Sequence, residues 1–253
     1  MITIKSEEEM KTMVDAGRRL AGVIEELRGH VRAGIETRAL DDRARDLIKK
    51  AGAKPAFLGY RPTGATKPYP ATICVSINEV VVHGTPSVRV IKEGDVVKLD
   101  LGLILDGLYV DSAVTVIVGN ASLEAKKLAR VTEEALSFAI GEARPGNTLG
   151  DIGAAIQGVI EKTPFSIIKS LTGHGIGRAL HEDPYVFNTG KRGEGEELKE
   201  GMVLALEPMV AVGSGKVRQL PDESYATVDG SLSAHFEHTV AITKDGPRVL
   251  TKI

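Results

Sequence analysis

Cysteine occurs once in 253 residues, as Cys74. One thiol excludes an internal disulfide and a cysteine-built zinc site, and it agrees with a reducing compartment. No apolar run approaches the ~18 residues that would span a bilayer, and the opening MITIKSEEEM lacks the basic-then-apolar order of a secretory leader. A soluble, cytoplasmic protein without a membrane partner is expected, and the sequon Asn120-Ala121-Ser122 should then stay unmodified. A basic block is also missing. Lys and Arg number 32 against 34 Asp and Glu, so the electrostatic footprint of a nucleic-acid binder is lacking. What the chain does have is 42% apolar residues, enough at this length to bury a sizeable core.

Ser6 followed by three glutamates marks a helix start, because a serine cap and an acidic first turn satisfy free amides and suit the helix dipole. The pattern predicts a helix to about Gly29 and a second over about 37–51, then an irregular stretch from Phe57 to Pro70. Strands are predicted over 71–82, 96–105 and 108–118, with Asp106-Gly107 as a hairpin turn. The order then repeats: helices near 123–143 and 149–162, and strands near Ile167, 203–212, 224–228 and 233–243. The letters repeat too. KEGDVVKLD at 92–100 returns as KEGMVLALE at 199–207 with five of nine positions identical, and Arg32-Ala33-Gly34 is echoed by Arg144-Pro145-Gly146. One catalytic domain is expected, made of two similar halves, about 1–120 and 121–253, related by an approximate two-fold axis.

A two-residue turn at Asp106-Gly107 pairs Leu105 with Leu108 and sets Gly102 opposite Asp111. Asp100 lies two residues from Gly102, so Asp100 and Asp111 become diagonal neighbours on one face, roughly 7–8 Å apart at the backbone. Taken alone, the two read first as a solvated strand pair. The repeat changes this, because Glu207 holds in the second half the position of Asp100, inside the apolar run MVLALEPMV where an unpaired carboxylate is poorly tolerated. Glu237 in SAHFEHTVAI can match Asp111, and His174 in TGHGIG sits between small residues that leave its ring accessible. One histidine and four carboxylates form a mostly hard donor set, suited to two divalent ions such as Mn, Fe or Co, with Zn also admissible.

The stretches CVSINEVVVHGTP, KLDLGLILDGLYVDSA, TGHGIGRALHEDP, VLALEPM and SAHFEHTVAI resemble the methionine aminopeptidases of the creatinase-like "pita-bread" metallopeptidases, over nearly the whole chain. The resemblance implies an α+β pita-bread fold: two related halves, a central curved antiparallel sheet and helices on its outer face. It makes Asp100, Asp111, His174, Glu207 and Glu237 ligands of two divalent ions (Co, Mn, Fe or Zn), and His83 and His181 the substrate-contacting histidines. Only 26 positions separate His181 from Glu207, which leaves no room for the helical insertion of the type II branch. A type I protein without a zinc-finger extension is expected.

The implied reaction removes the initiator methionine from nascent polypeptides when the next residue is small. A metal-bridging hydroxide attacks, with Glu207 as base and proton shuttle, His181 stabilising the oxyanion and His83 bonding the scissile amide. The resemblance places Cys74, Tyr60 and Tyr69 in the methionine pocket, with Leu180 and Tyr225 where relatives carry larger aromatics. Phe57 stands where many relatives have Cys, and the segment Arg61 to Lys67 is longer than the common bacterial pattern. A monomer and a transient association with the ribosome complete the expectation. The rivals are a proline-specific peptidase of the same fold, whose relatives usually carry a large amino-terminal domain, and a metal-free binding protein on this scaffold, which would have lost ligands.

Other residues have plainer readings. Cys74 has no triad partner and reads as a small core residue, His30 as a helix cap, His238 as structural and residues 190–201 as a solvated loop. His235 stands where the family usually has Gln. Two residues from Glu237 on an expected strand, it should face the same way and orient a ligating carboxylate, and titration near ~6.5 would steepen the acid loss of metal. The bland alternative is that it only fills the space of Gln.

Overall fold

A computed structural model describes residues 2–62 and 64–252; Thr63, in the 61–67 segment, lies outside them. Helix α1 (Glu7–His30) starts at the expected cap: Glu9 N–H donates to Ser6 Oγ at 3.2 Å and Ser6 N–H donates to the Glu9 carboxylate at 2.7 Å. His30 closes its far end on the Glu26 carbonyl at 2.7 Å. In α2 (Thr37–Lys50), the Asp41 carboxylate accepts the N–H groups of Thr72 and Ile73 at 2.6 and 3.3 Å, fastening the helix to the chain as it enters the sheet.

Five strands follow: β1 (Lys54–Pro55), β2 (Cys74–Ile77), β3 (Val80–Val82), β4 (Val96–Leu105) and β5 (Leu108–Ile117). Helices α3 (Leu123–Glu142) and α4 (Leu149–Ile160) come next. The remaining strands are β6 (Ser166–Ile167), β7 (Thr172–Gly175), β8 (Glu182–Phe187), β9 (Val203–Leu206), β10 (Met209–Ala211), β11 (Val217–Gln219), β12 (Tyr225–Thr227), β13 (Ser233–His235), β14 (Glu237–Thr243) and β15 (Gly246–Val249). A nine-stranded antiparallel sheet runs β1-β4-β5-β14-β9-β7-β8, with β2 beside β4 and β15 beside β14. Two three-stranded sheets, β13-β10-β6 and β11-β12-β3, lie off it.

The β4-β5 hairpin has the expected register, Leu105 opposite Leu108 and Gly102 opposite Asp111, and its turn residues Asp106 and Gly107 take φ of 49° and 83°. Three expected strands divide. The 71–82 run breaks at Asn78 (φ 57°), the 203–212 run at Glu207-Pro208 and the 233–243 run at Phe236. At the last two breaks the chain passes between the large sheet, which holds β9 and β14, and a small one, which holds β10 and β13. Pro208 has no N–H with which to continue the ladder. Strands β7 and β8 were not expected, because glycine-rich TGHG has no β-branched run to signal them.

Alternation along β4 decides which face holds the core. Leu99, Leu101 and Leu103 are fully buried in one apolar cluster with Met13, Leu20 and Leu27 of α1 and Leu40 of α2. A second cluster joins Leu128 and Leu136 of α3 and Ile152 and Ile156 of α4 to Leu204, Leu206, Val240 and Ile242. Each such leucine contributes about 1.5–3 kcal/mol by leaving water. The even positions Lys98, Asp100 and Gly102 point to the opposite face. Among the described residues no helix is long and apolar enough to cross a membrane.

Candidate metal centre

Registers across the large sheet assemble the site on that opposite face. Cys74 of β2 pairs with Asp100 of β4, Asp100 with Ala113 of β5, and Ala113 with Glu237 of β14, so one row carries a thiol, a carboxylate, a methyl and a second carboxylate. Paired residues share a face, as do residues two apart, which adds Asp111 beside Ala113. A neighbouring row joins His174 of β7 to Ala205 of β9 and Ala205 to Thr239 of β14. Ala113 and Ala205, the small members of the rows, leave room between the polar side chains. Glu207 follows β9 at the switch between sheets.

The five residues converge. Ligating atoms of Asp111, His174 and Glu237 all lie within 4.8 Å of one another, and all three side chains are buried. His174 Nε2 is 3.5 Å from Glu207 Oε1, and the carboxylates of Asp100 and Asp111 are near enough to repel each other. Thr239 clamps Asp111, donating from Oγ1 to its carbonyl at 2.7 Å and accepting its N–H at 2.9 Å. The Glu207 carbonyl accepts Asn188 Nδ2 at 3.1 Å.

Four carboxylates, each 9% exposed or less, meet, and among the described residues none of them forms an ion pair with a lysine or arginine. Burial raises the pKa of Asp100, Glu207 and Glu237 well above the carboxylate range, and mutual repulsion adds to it. Burial lifts Asp111 to about 7. Glu237 Oε1 is buried without a hydrogen-bond partner. His174 Nδ1 lies 2.9 Å from the Gly175 carbonyl, which can only accept, so the proton sits on Nδ1 and the Nε2 lone pair faces the carboxylates. A divalent cation satisfies every part of this arrangement: the orphaned oxygen, the repulsion and the free imidazole lone pair.

His83 and His181 stand on the open side of the cluster, both with exposed surface. The His181 ring meets that of His174 edge to face at 4.4 Å, and its Nδ1 is 2.7 Å from Tyr60 Oη. His83 has a φ of 61° and its ring lies 5.9 Å from that of Tyr225. Crowding by protein lowers the pKa of both, and for His181 the nearby His174 and His83 add to the effect. Cys74 is buried beside Asp100, its partner across β2 and β4, and near Tyr69, whose hydroxyl donates to the Ile73 and Gly84 carbonyls at 3.1 and 3.0 Å. Burial and the Asp100 charge raise its pKa well above the thiol range, so it stays protonated and is no nucleophile. Phe57 packs edge to face on Tyr69 at 6.4 Å, and Leu180 is buried in the same cluster.

The expectation for His235 needs correction. The strand breaks at Phe236, so the two-residue parity with Glu237 does not apply. His235 instead places Nε2 3.3 Å from Glu207 Oε2, with neither ring nitrogen in a hydrogen bond. Burial lowers its pKa to about 3, and a cation in the centre would lower it further. The ring therefore stays neutral over the working range and is no acid switch. His235→Gln should keep both its activity at pH ~7.5 and the acid limb of its pH profile; a flattened limb would restore the switch. His238 turns to Thr251 Oγ1, 2.9 Å from its Nδ1.

Sequence reasoning missed Lys98. Its ammonium is buried on the site face and donates to the Asn78 carbonyl at 2.8 Å and to the carbonyl and Oγ of Ser233 at 3.2 Å each, while burial lowers its pKa to about 7. The signal was a lysine in phase with Asp100 in an otherwise apolar strand.

Residues 11–244 match the model of metallopeptidase family M24. The chain is 46% identical to methionine aminopeptidase 1 of Bacillus subtilis over 254 residues, covering all of both chains. Its structure superposes on the crystal structure of methionine aminopeptidase from Thermotoga maritima with a TM-score of 0.96, at 44% identity and full coverage of both chains. A prolidase from Pyrococcus horikoshii shares the fold with a TM-score of 0.76 at 25% identity, but this chain spans 63% of its length. The architecture is thus the α+β pita-bread fold. The chain belongs to metallopeptidase family M24, among the type I methionine aminopeptidases.

Proposed function

We propose that the chain removes the amino-terminal methionine from newly made polypeptides when the second residue is small. The observation that carries this reading is the convergence of four buried carboxylates and His174 beside two exposed, neutral histidines, in a chain whose full-length relatives are methionine aminopeptidases. Asp100, Asp111, His174, Glu207 and Glu237 would hold two divalent ions, drawn from Co, Mn, Fe or Zn. Bound there, the metal supplies an activated water for attack on the amide and an anchor for the free α-amine.

The chain's own residues do the rest. Glu207, whose burial favours its neutral form, accepts and returns a proton. Tyr60, which burial keeps protonated, can donate its hydroxyl proton to His181 Nδ1. That leaves the His181 proton on Nε2, ready to bond the carbonyl oxygen as negative charge develops on it. His83 bonds the scissile amide from the far rim. Cys74, Tyr60 and Tyr69 line the methionine pocket, backed by Phe57.

Turnover of Met-Ala-Ser but not Ala-Pro-Gly in the presence of divalent metal tests the assignment. The reverse preference would point to a proline-specific peptidase, and no turnover of either to a binding protein. Among methionyl peptides, Met-Ala should be cleaved about 100-fold faster than Met-Lys, because a large second side chain displaces the scissile bond from the water. Equal rates at saturating metal would overturn the steric account.

A further inference from the structure

The amino-terminal segment reaches the turn that carries His181. Its backbone is pinned where Lys5 N–H donates to the Gly201 carbonyl at 2.9 Å. A Cβ on Gly201 would lie 2.6 Å from Ile4 Cγ2, and one on Gly177 would lie 2.1 Å from Lys5 Cε, so both glycines leave room for the side chains of the segment. The Lys5 side chain is 1% exposed and crosses Gly177 to reach Glu182 Oε2 at 2.6 Å. Thr3 Oγ1 bonds both groups.

The other Glu182 oxygen closes the turn. Oε1 accepts the N–H groups of Arg178 and Ala179 at 2.5 and 3.0 Å, so one carboxylate spans residues 178–182. Outside it, Arg178 Nε and Nη2 bond the two Glu9 oxygens at 2.6 and 2.9 Å, and Glu9 also caps α1. His181 lies inside this loop, immediately before Glu182. An ammonium this buried is costly to desolvate unless it is paired, and pairing it here fixes a carboxylate that itself holds two backbone N–H groups of the turn.

We propose that Lys5 is a positioning residue for catalysis: through Glu182 it holds the 178–182 turn so that His181 stays against the His174 ring and the Tyr60 hydroxyl. The inference rests on the role given to His181 above. It assigns function to a residue far from the metal ligands in sequence and outside their cluster. Removing the ammonium leaves Glu182 Oε2 with the Thr3 hydroxyl alone and no opposite charge, so the carboxylate turns toward water and releases the turn.

Lys5→Met keeps the length and apolar stem of the side chain and removes the charge. In the metal-loaded enzyme it should lower kcat about 10- to 100-fold on Met-Ala-Ser with KM changed less than threefold, since a displacement of about 1 Å is enough for such a loss. In a His181→Ala background the same change should lower kcat no further. If His181→Ala lowers kcat but Lys5→Met, folded by circular dichroism at the assay temperature, does not, the inference is overturned and the role of His181 stands. Equal losses from Lys5→Met in both backgrounds also overturn it, showing a general structural effect. If His181→Ala keeps wild-type kcat, the reading of His181 fails and takes the inference with it. Should Lys5→Met not fold, Glu182→Gln tests the same link from the other side with the same two backgrounds and the same outcomes.

Discussion

Replacing Glu207 with Gln should lower kcat on a methionyl peptide about 10³-fold, the range for loss of a positioned base, while making the metal-free protein more heat-stable. The two effects have one origin. Glu207 is buried beside Asp100 and Asp111, and its folded pKa is raised well above the carboxylate range. The stability such a group contributes is full below its unfolded pKa and is lost as pH rises from there through the folded value. Near neutral pH, without metal, its charge is a burden that an amide does not carry. Thermal unfolding of chelated wild type and Glu207→Gln at pH ~7.5 should separate them by several degrees, with the variant higher. A variant that keeps near wild-type turnover would remove Glu207 from the chemistry; one that loses turnover together with its fold would leave the site unstrained.

Chelated protein, with metal content verified as zero, should show no turnover and should respond to pH with inverted sense. Asp111 moves from an ordinary value of 3.8 to about 7 when the chain folds. Its contribution is therefore full below pH ~4 and is lost as pH rises toward ~7, with Asp100, Glu207 and Glu237 shifted in the same direction. Between pH ~5 and ~7.5 the metal-free protein should lose thermal stability as pH rises. Metal-loaded protein should instead gain stability, because a cation binds the ionised carboxylates. Parallel pH profiles in the two forms, or full turnover after chelation, would show that the carboxylate cluster is not a cation site.

Much of this centre was legible as text. Asp106-Gly107 marks a hairpin, the hairpin sets a register, and the register puts Asp100 and Asp111 on one face. The nine-letter repeat pointed to Glu207 by position alone. Parity stopped working where the chain changes sheets. Residues 207 and 236 lie between strands, so neither Glu207 nor the pair His235 and Glu237 follows the alternation of a continuous ladder. His235 was therefore assigned to the right neighbourhood for the wrong reason. Burial was invisible in the letters as well, which is why its titration was misjudged. Strands β7 and β8 escaped because close approach of backbone, and not side-chain shape, makes them: a Cβ on Gly175 would lie 2.1 Å from the Asp183 carbonyl. Contacts across 177 positions, such as Lys5 to Glu182, leave no periodic trace at all.

The seam between β5 and β14 also sets when this protein can begin to work. Ser112 and Ala113 pair there with His238 and Glu237, contacts that close a loop of more than 120 residues. Closing so long a loop is slow compared with forming the β4-β5 hairpin, whose strands are adjacent in sequence. The hairpin can therefore bring Asp100 and Asp111 together before the seam adds Glu237 to them. The acidic cluster is thus completed by a long-range contact, and a variant that loses the β5-β14 seam should keep the hairpin but not the assembled site.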